Sequence, residues 1–277
     1  MRIGGVPEHY NGPIHKAMAG FPDSEWLSYP SGTGAMLEAL DKDELDLAVM
    51  LMEGAVKHAV CNDSVRLIGT YVDNPLPWGV HVRSISSMEE LNEKIPDLTF
   101  GISRYGSGSH LMAIVHANSI GKSSPKFKVV NTMKGARDAM VAGEIDVFLW
   151  DITTADVYTK QGDWKCIGEI SGDWPAFVFV VQKSSSSLLL NKIKEFIGSL
   201  HKECKAMKTE KSSSGKYLCD KYGISIDQAN DFLEKINWNS TLSVDDSNIK
   251  SVVRSLHSCN IIPSDHVDRS QIVREDL

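Results

Sequence analysis

Short apolar runs alternate with helix-compatible stretches from the N-terminus to about Val181. Strand-like runs cover residues 2–5, 26–29, 45–51 and 65–72, then 98–103, 127–130, 145–150 and 165–170. Such alternation predicts a parallel α/β architecture. Two further extended segments, 75–82 and 174–181, carry Pro near the start and β-branched or aromatic residues after it. They are expected to be hinge strands on which the chain crosses to a second lobe and returns. After Ser184 the pattern turns helical over 188–205, 215–222 and 226–236, helices expected to pack on the first lobe. One more helix is expected over 249–258, with a mobile end beyond it.

The two sets of four runs repeat one layout. Glu38-Ala39-Leu40 leads through Glu44-Leu45-Asp46-Leu47, and one hundred residues later Asp138-Ala139-Met140 leads through Glu144-Ile145-Asp146-Val147. Ile3-Gly4 is echoed by Phe100-Gly101, and Ile68-Gly69 by Ile167-Gly168. Two copies so far apart do not make a solenoid, which stacks short repeats several times. They predict two similar α/β lobes with a cleft between them and two hinge strands. The expected boundaries are 1–80 for the first part of lobe I, 81–176 for lobe II, 177–240 for the return and C-terminal helices, and 241–277 for an extension.

Composition narrows the function classes. The 277 residues are 42 % hydrophobic and 23 % charged, ordinary for a soluble globular chain. A formal net charge of −7 without a dense Lys/Arg run gives no reason to expect nucleic acid as a partner. No apolar run approaches the roughly 20 residues of a membrane span, so membrane insertion is not expected. Five widely spaced cysteines without a C-x-x-C pair, and no visible signal peptide, lead to the expectation of a cytoplasmic protein. No protein partner is named by the sequence.

Ligands of parallel α/β sheets sit beyond the carboxyl ends of strands, where loops enter helix N-termini. That rule selects three loops in each lobe. In the first they hold Glu8, His9, Tyr10 and Asn11, then Ser31, Gly32 and Thr33, then Glu53. In the second they hold Arg104, Tyr105, Ser107, Gly108 and Ser109, then Thr132 after Asn131, then Trp150. Ser31 and Asn131 also read as helix N-caps. Trp150 also reads as core, and the glycine-serine loop matches no phosphate-binding or nucleophile-elbow motif. Glu53 is the sharpest candidate, because a carboxylate following an apolar strand needs a partner or a cleft. His110 and His116 are six apart and cannot share a helix face as metal ligands, and no metal or cofactor is expected. Ser107, Ser109 and His110 lack an orienting third group for serine catalysis.

Leu45-Asp46-Leu47-Ala48 and Ile145-Asp146-Val147, each after a helix and an acidic turn, resemble the helix-to-strand signature of type II periplasmic binding proteins. The resemblance is closest to the nitrate, sulfonate and thiamine-pyrimidine-precursor branch, which includes fungal thiamine-pyrimidine synthases. Pro7-Glu8-His9-Tyr10-Asn11 with Pro13-Ile14 is similar to a Candida binding-protein-like subgroup. The resemblance covers residues 1 to about 235 and implies two lobes closing on a small molecule held by the loops just named. The synthases carry a cofactor-binding lysine and a histidine consumed as substrate; alignment on Asp46 puts Met50 and Gly54 there. Their run of cysteines near the return hinge is also missing from 174–182, so synthase activity is not expected.

The favoured reading is therefore a solute-binding protein without catalysis. Carboxylates, aromatic faces and helix N-termini suit a small polar heterocycle such as an aminopyrimidine related to thiamine precursors. A small anion on Ser107, Gly108 and Ser109 is the competing ligand. The alternative function is an enzyme or lyase on the same scaffold, with Glu8, His9 and His110 as acid/base groups.

Overall fold

A computed structural model of the chain describes residues 1–276. In chain order the elements are β1 (Arg2–Gly5), α1 (Gly12–Ala17), β2 (Glu25–Ser28), α2 (Thr33–Asp41), β3 (Leu47–Leu51), α3 (Met52–Asn62), β4 (Val65–Val72), β5 (Trp78–Val82), α4 (Met88–Lys94), β6 (Thr99–Ile102), α5 (Gly108–Ser119), β7 (Lys126–Val129), α6 (Met133–Val141), β8 (Val147–Trp150), α7 (Ile152–Gln161), β9 (Lys165–Ile170) and β10 (Phe177–Gln182). There follow α8 (Ser187–Thr209), α9 (Lys211–Tyr222), α10 (Ile226–Lys235), β11 (Trp238–Thr241), α11 (Asp246–Ser258) and α12 (Arg269–Ile272).

The chain forms two compact units. Unit 1 takes Met1–Asn74, Trp174–Val253 and the residues from Ser264 onward; unit 2 takes Pro75–Asp173 and Arg254–Pro263. The sheet of unit 1 runs β2-β1-β3-β10-β4-β11, and that of unit 2 runs β7-β6-β8-β5-β9. With the extra edge strand β11 set aside, the two orders are the same, so the duplication seen in the sequence is a duplication of topology.

The segments expected as hinge strands are interior strands. β5 runs antiparallel to both β8 and β9 in unit 2, and β10 runs antiparallel to β3 and β4 in unit 1. Each sheet is thus mixed rather than all-parallel. The two strands occupy equivalent places in the two sheets, and each follows the last strand of the opposite unit in the chain. The β10 run Phe177 to Val181 is buried throughout, as a central strand covered on both faces requires.

The repeated Asp is a strand clamp. Asp46 Oδ2 accepts the backbone N–H of Arg2 at 2.7 Å, and Asp146 Oδ2 accepts that of Thr99 at 2.8 Å. Each Asp also donates its own N–H to the carbonyl of the same residue, at 3.0 and 2.8 Å. The preceding helix ends alike in both copies, at Asp43 with φ 57° and Gly143 with φ 73°, the left-handed turn that closes a helix C-terminus. Gly4 and Gly101 leave the space that Leu45 and Ile145 fill. A methyl group on either would lie 2.8 or 2.6 Å from those side chains. Unit 2 builds its core on Phe148, Met140, Ile145, Ala155 and Trp164.

The later helices pack on unit 1, α8 against α1 and β11. Lys208 on α8 donates to the carbonyls of Leu233, Glu234 and Ile236 at 2.9, 3.3 and 2.7 Å, satisfying the end of α10. The segment from Arg269 to Arg274 is docked on unit 1. Val273 forms a parallel bridge to Leu67, Ile272 is fully buried, and Arg274 donates to the carbonyls of Lys183 and Ser185. Two apolar residues near the end, Ile272 and Val273, supply the burial that a short polar-looking tail conceals.

Candidate functional site

The carboxyl end of the unit 1 sheet gathers the first-lobe candidates. After β1 the chain makes a single 3-10 turn over His9–Asn11 and enters α1. His9, Tyr10 and Asn11 are buried there, and Glu8 is half-buried. The His9 and Tyr10 rings lie 4.6 Å apart, and Phe232 meets both edge-on, at 4.4 and 5.1 Å. Tyr10 also packs on Phe177, the first residue of β10, at 5.1 Å. The Tyr10 carbonyl accepts the Tyr71 hydroxyl at 2.7 Å and Trp238 Nε1–H at 3.0 Å. Asn11 Nδ2 donates to the Val6 carbonyl at 2.7 Å, which leaves its Oδ1 buried without a partner. This turn is a rigid aromatic floor, fixed from below by two donors.

Beside it, α2 and α3 start side by side. Gly32, with φ 75°, is the N-cap of α2, so Ser31 is an exposed loop residue and not the cap expected from sequence. Thr33 opens the helix, and its Oγ1 accepts the Leu51 N–H at 3.4 Å. Gly54 admits the Thr33 methyl; a Cβ there would stand 2.6 Å from Thr33 Cγ2.

Glu53 lies in the first turn of α3 rather than in a loop, because β3 ends at Leu51 and the helix begins at once. It is 3 % exposed. Trp174 Nε1–H donates to its Oε2 at 3.1 Å, and its Oε1 is buried without a partner among the described residues. Burial raises its pKa from 4.5 to about 7, against the opposing pull of its own backbone N–H and of Trp174. The residue expected to need a partner has found half of one.

In unit 2, Arg104, Tyr105, Ser107, Gly108 and Ser109 share the turn from β6 into α5. Ser107 is the N-cap, accepting the His110 N–H at 3.4 Å, and its Oγ lies 3.1 Å from Ser109 Oγ. Both serines are buried, Arg104 is half-buried and the Tyr105 ring is exposed. His110 Nδ1 accepts the Gly106 N–H at 3.0 Å, which places the ring proton of neutral His110 on Nε2. The remaining two candidates are spent on structure. Thr132, and not Asn131, caps α6 by accepting the Gly135 N–H at 3.0 Å; Asn131 takes the left-handed φ of 62°. Trp150 ends β8, half-buried and stacked on Phe148 at 5.3 Å against the core of the unit.

In the sequence Trp174 only opens one of the expected hinge strands, and nothing marks Phe177, Phe232, Tyr71 and Trp238 as the frame of the floor. Those contacts join residues up to 228 positions apart, and no local pattern announces them.

Comparison with known proteins follows this geometry. Residues 78–170 match the profile described as Ca3427-like PBP. The Candida albicans CA3427 gene product, a protein with the generic periplasmic binding protein structural fold, superposes with a TM-score of 0.83 at 23 % identity, covering 94 % of this chain and 89 % of its own. The chain has the periplasmic binding protein fold. The alkanesulfonate-binding protein SsuA of Xanthomonas axonopodis pv. citri, bound to MOPS, shares this fold with a TM-score of 0.79 at 16 % identity over 99 % and 98 % of the two chains. The aliphatic sulphonate binding protein SsuA of Escherichia coli does so with 0.73 at 16 % identity, over 99 % and 92 %. No curated protein matches the sequence. The periplasmic binding protein fold is the one implied by the proteins that the acidic helix-to-strand signature resembles.

Proposed function

We propose that this protein binds a small polar molecule at the carboxyl end of the unit 1 sheet, and that the ligand is a flat nitrogen heterocycle of the aminopyrimidine kind. The observation that carries this reading is Glu53: a buried carboxyl at a helix start, with one oxygen held by Trp174 and the other without a partner. Buried polar groups are nearly always satisfied, and a site built for a ligand is where an exception belongs. The aromatic cluster of His9, Tyr10 and Phe232 lies at the same end of the sheet and gives the site a fixed apolar wall. The fold neighbours support a binding role, since both SsuA proteins are sulfonate binders.

A second ligand class has its own support. The buried Ser107 and Ser109 at the start of α5, together with the sulfonate-binding neighbours, favour a small anion in unit 2. A thermal-shift screen of pyrimidines, thiamine and its phosphates, sulfonates, nitrate and organic acids separates the two. Saturation at 100 times Kd adds about 2.7 kcal/mol, a shift of several degrees in Tm. The heterocycle reading requires a shift with aminopyrimidines that Glu53→Ala abolishes. Shifts confined to sulfonates, lost in Ser107→Ala and kept in Glu53→Ala, decide for the anion.

A further inference from the structure

The two oxygens of Glu53 are not equivalent. Oε2 accepts the indole N–H of Trp174, so that oxygen is occupied as an acceptor. Oε1 is fully enclosed and unpartnered among the described residues. Ionising a carboxyl enclosed this completely is disfavoured, even with the Trp174 indole and its own backbone N–H as donors. A neutral acid instead presents a hydroxyl at Oε1.

Among the described residues no cation pulls this carboxyl toward the ionised form; its own backbone N–H and the Trp174 indole do, and burial outweighs them. From α2 comes Thr33, whose hydroxyl already accepts the Leu51 N–H. From β3 and α3 come Leu51, Met52 and Gly54, and the Met52 N–H is taken by the Ala176 carbonyl at 3.2 Å. The segment before β10 brings Trp174 and Ala176. Along these segments the charged side chains are Lys57, half-buried a turn along α3, and Asp173, exposed beside Trp174.

We propose that Glu53 carries its proton on Oε1 in the ligand-free protein and donates it to an acceptor nitrogen in the ring of the bound heterocycle. This deepens, and rests on, the reading of unit 1 as a heterocycle site. One hydrogen bond forms, from Oε1–H to the ring nitrogen; no covalent bond breaks, and the proton stays within the pair. A neutral acceptor is favoured over an anionic oxygen because no cation acts on this carboxyl to offset a ligand charge beside it. The raised pKa of Glu53 agrees with this geometry.

Two measurements test it. The first needs no ligand: infrared difference spectra between wild type and Glu53→Gln, taken from about pH 6 to about pH 8.5. An un-ionised carboxyl band, present in wild type at the acid end, absent from the variant and converted to carboxylate on raising the pH, is the expected result. A carboxylate band already present at the acid end overturns the proposal whatever the protein binds. The second is calorimetric titration with 4-aminopyrimidine over the same range. Wild-type affinity is expected to fall about tenfold for each pH unit above the Glu53 pKa of about 7, and the Glu53→Gln profile to be flat. Affinity that rises with pH means recognition by the carboxylate and overturns the proposal. Failure of 4-aminopyrimidine to bind at any pH overturns the heterocycle reading, and the infrared result still distinguishes that failure from an error about the proton.

Discussion

The buried phenol of Tyr71, in the middle of the unit 1 sheet, donates to the backbone carbonyl of Tyr10 at 2.7 Å. Through this bond a strand interior sets the height of the turn that carries His9 and Tyr10. Trp238 supplies the second donor to the same oxygen. Tyr71→Phe is therefore expected to cost about 1–2 kcal/mol in urea unfolding, since the carbonyl retains one partner. Tyr71→Phe combined with Trp238→Phe removes both of these donors. It should cost more than the sum of the single changes, and a double-mutant cycle measures the excess.

His81 gives unit 2 an acid limit. It is fully buried on β5, 5.2 Å from the Trp164 ring, and among the described residues only the Trp150 backbone approaches its ring as a hydrogen-bond partner, too poorly placed to satisfy either nitrogen. Burial lowers its pKa from 6.5 to about 4. The folded value lies below the unfolded one, so the stability it contributes is complete above about pH 6.5 and is lost as pH falls toward 4. The loss is of order 3 kcal/mol at most. His15 in unit 1, also lowered to about 4 by burial and then by Lys221, titrates in the same window. Denaturation midpoints of wild type and His81→Gln across pH 4 to 7 should show a shallower acid slope in the variant. An unchanged slope would mean that His81 does not bear this load.

The two strand clamps differ in strength. Asp46 adds an ion pair to Arg2 Nη2 at 2.6 Å and is half-buried, whereas Asp146 is exposed and makes no such pair among the described residues. Burial raises the Asp46 pKa, but its bonds to Arg2 outweigh this and leave it below the usual carboxylate range. Asp46→Ala should cost about 1–3 kcal/mol and Asp146→Ala less, by chemical denaturation. Equal costs would refute the ranking.

Gly101 can be tested through its partner. Gly101→Ala drives a methyl into Ile145 Cδ1, at a cost of about 1–3 kcal/mol. Ile145→Val removes that carbon. Thermal melts of the double variant are expected to recover part of the loss, and melts no better than those of Gly101→Ala would contradict the contact.

The duplicated fold could be read from the sequence because its causes are local. Asp46 and Asp146 follow an acidic turn, Gly4 and Gly101 face Leu45 and Ile145, and each feature has a fixed spacing. Helix starts were less legible. A serine or asparagine before a helix signals a cap, yet Gly32 and Thr132 take that role because Ser31 and Asn131 lie one residue too early. Glu53 stood out as a buried carboxyl, but Trp174, 121 residues away, could not be assigned to it. The places of β5 and β10 in the middle of their sheets were hidden for the same reason: a run of valines does not say which neighbours it pairs with.

The backbone N–H of Ala176 donates to the carbonyl of Asn74 at 3.0 Å, so the points where the chain leaves unit 1 and re-enters it are hydrogen-bonded neighbours. The stretch from Pro75 to Asp173, the larger of the two pieces of unit 2, is in effect one large loop grafted onto a closed doorway. Unit 1 keeps β10, β4 and its whole sheet on its own side of that doorway. A few glycines and serines joining Asn74 to Trp174 are enough to span it. The same junction is a natural place to exchange the inserted stretch for that of another protein with this fold.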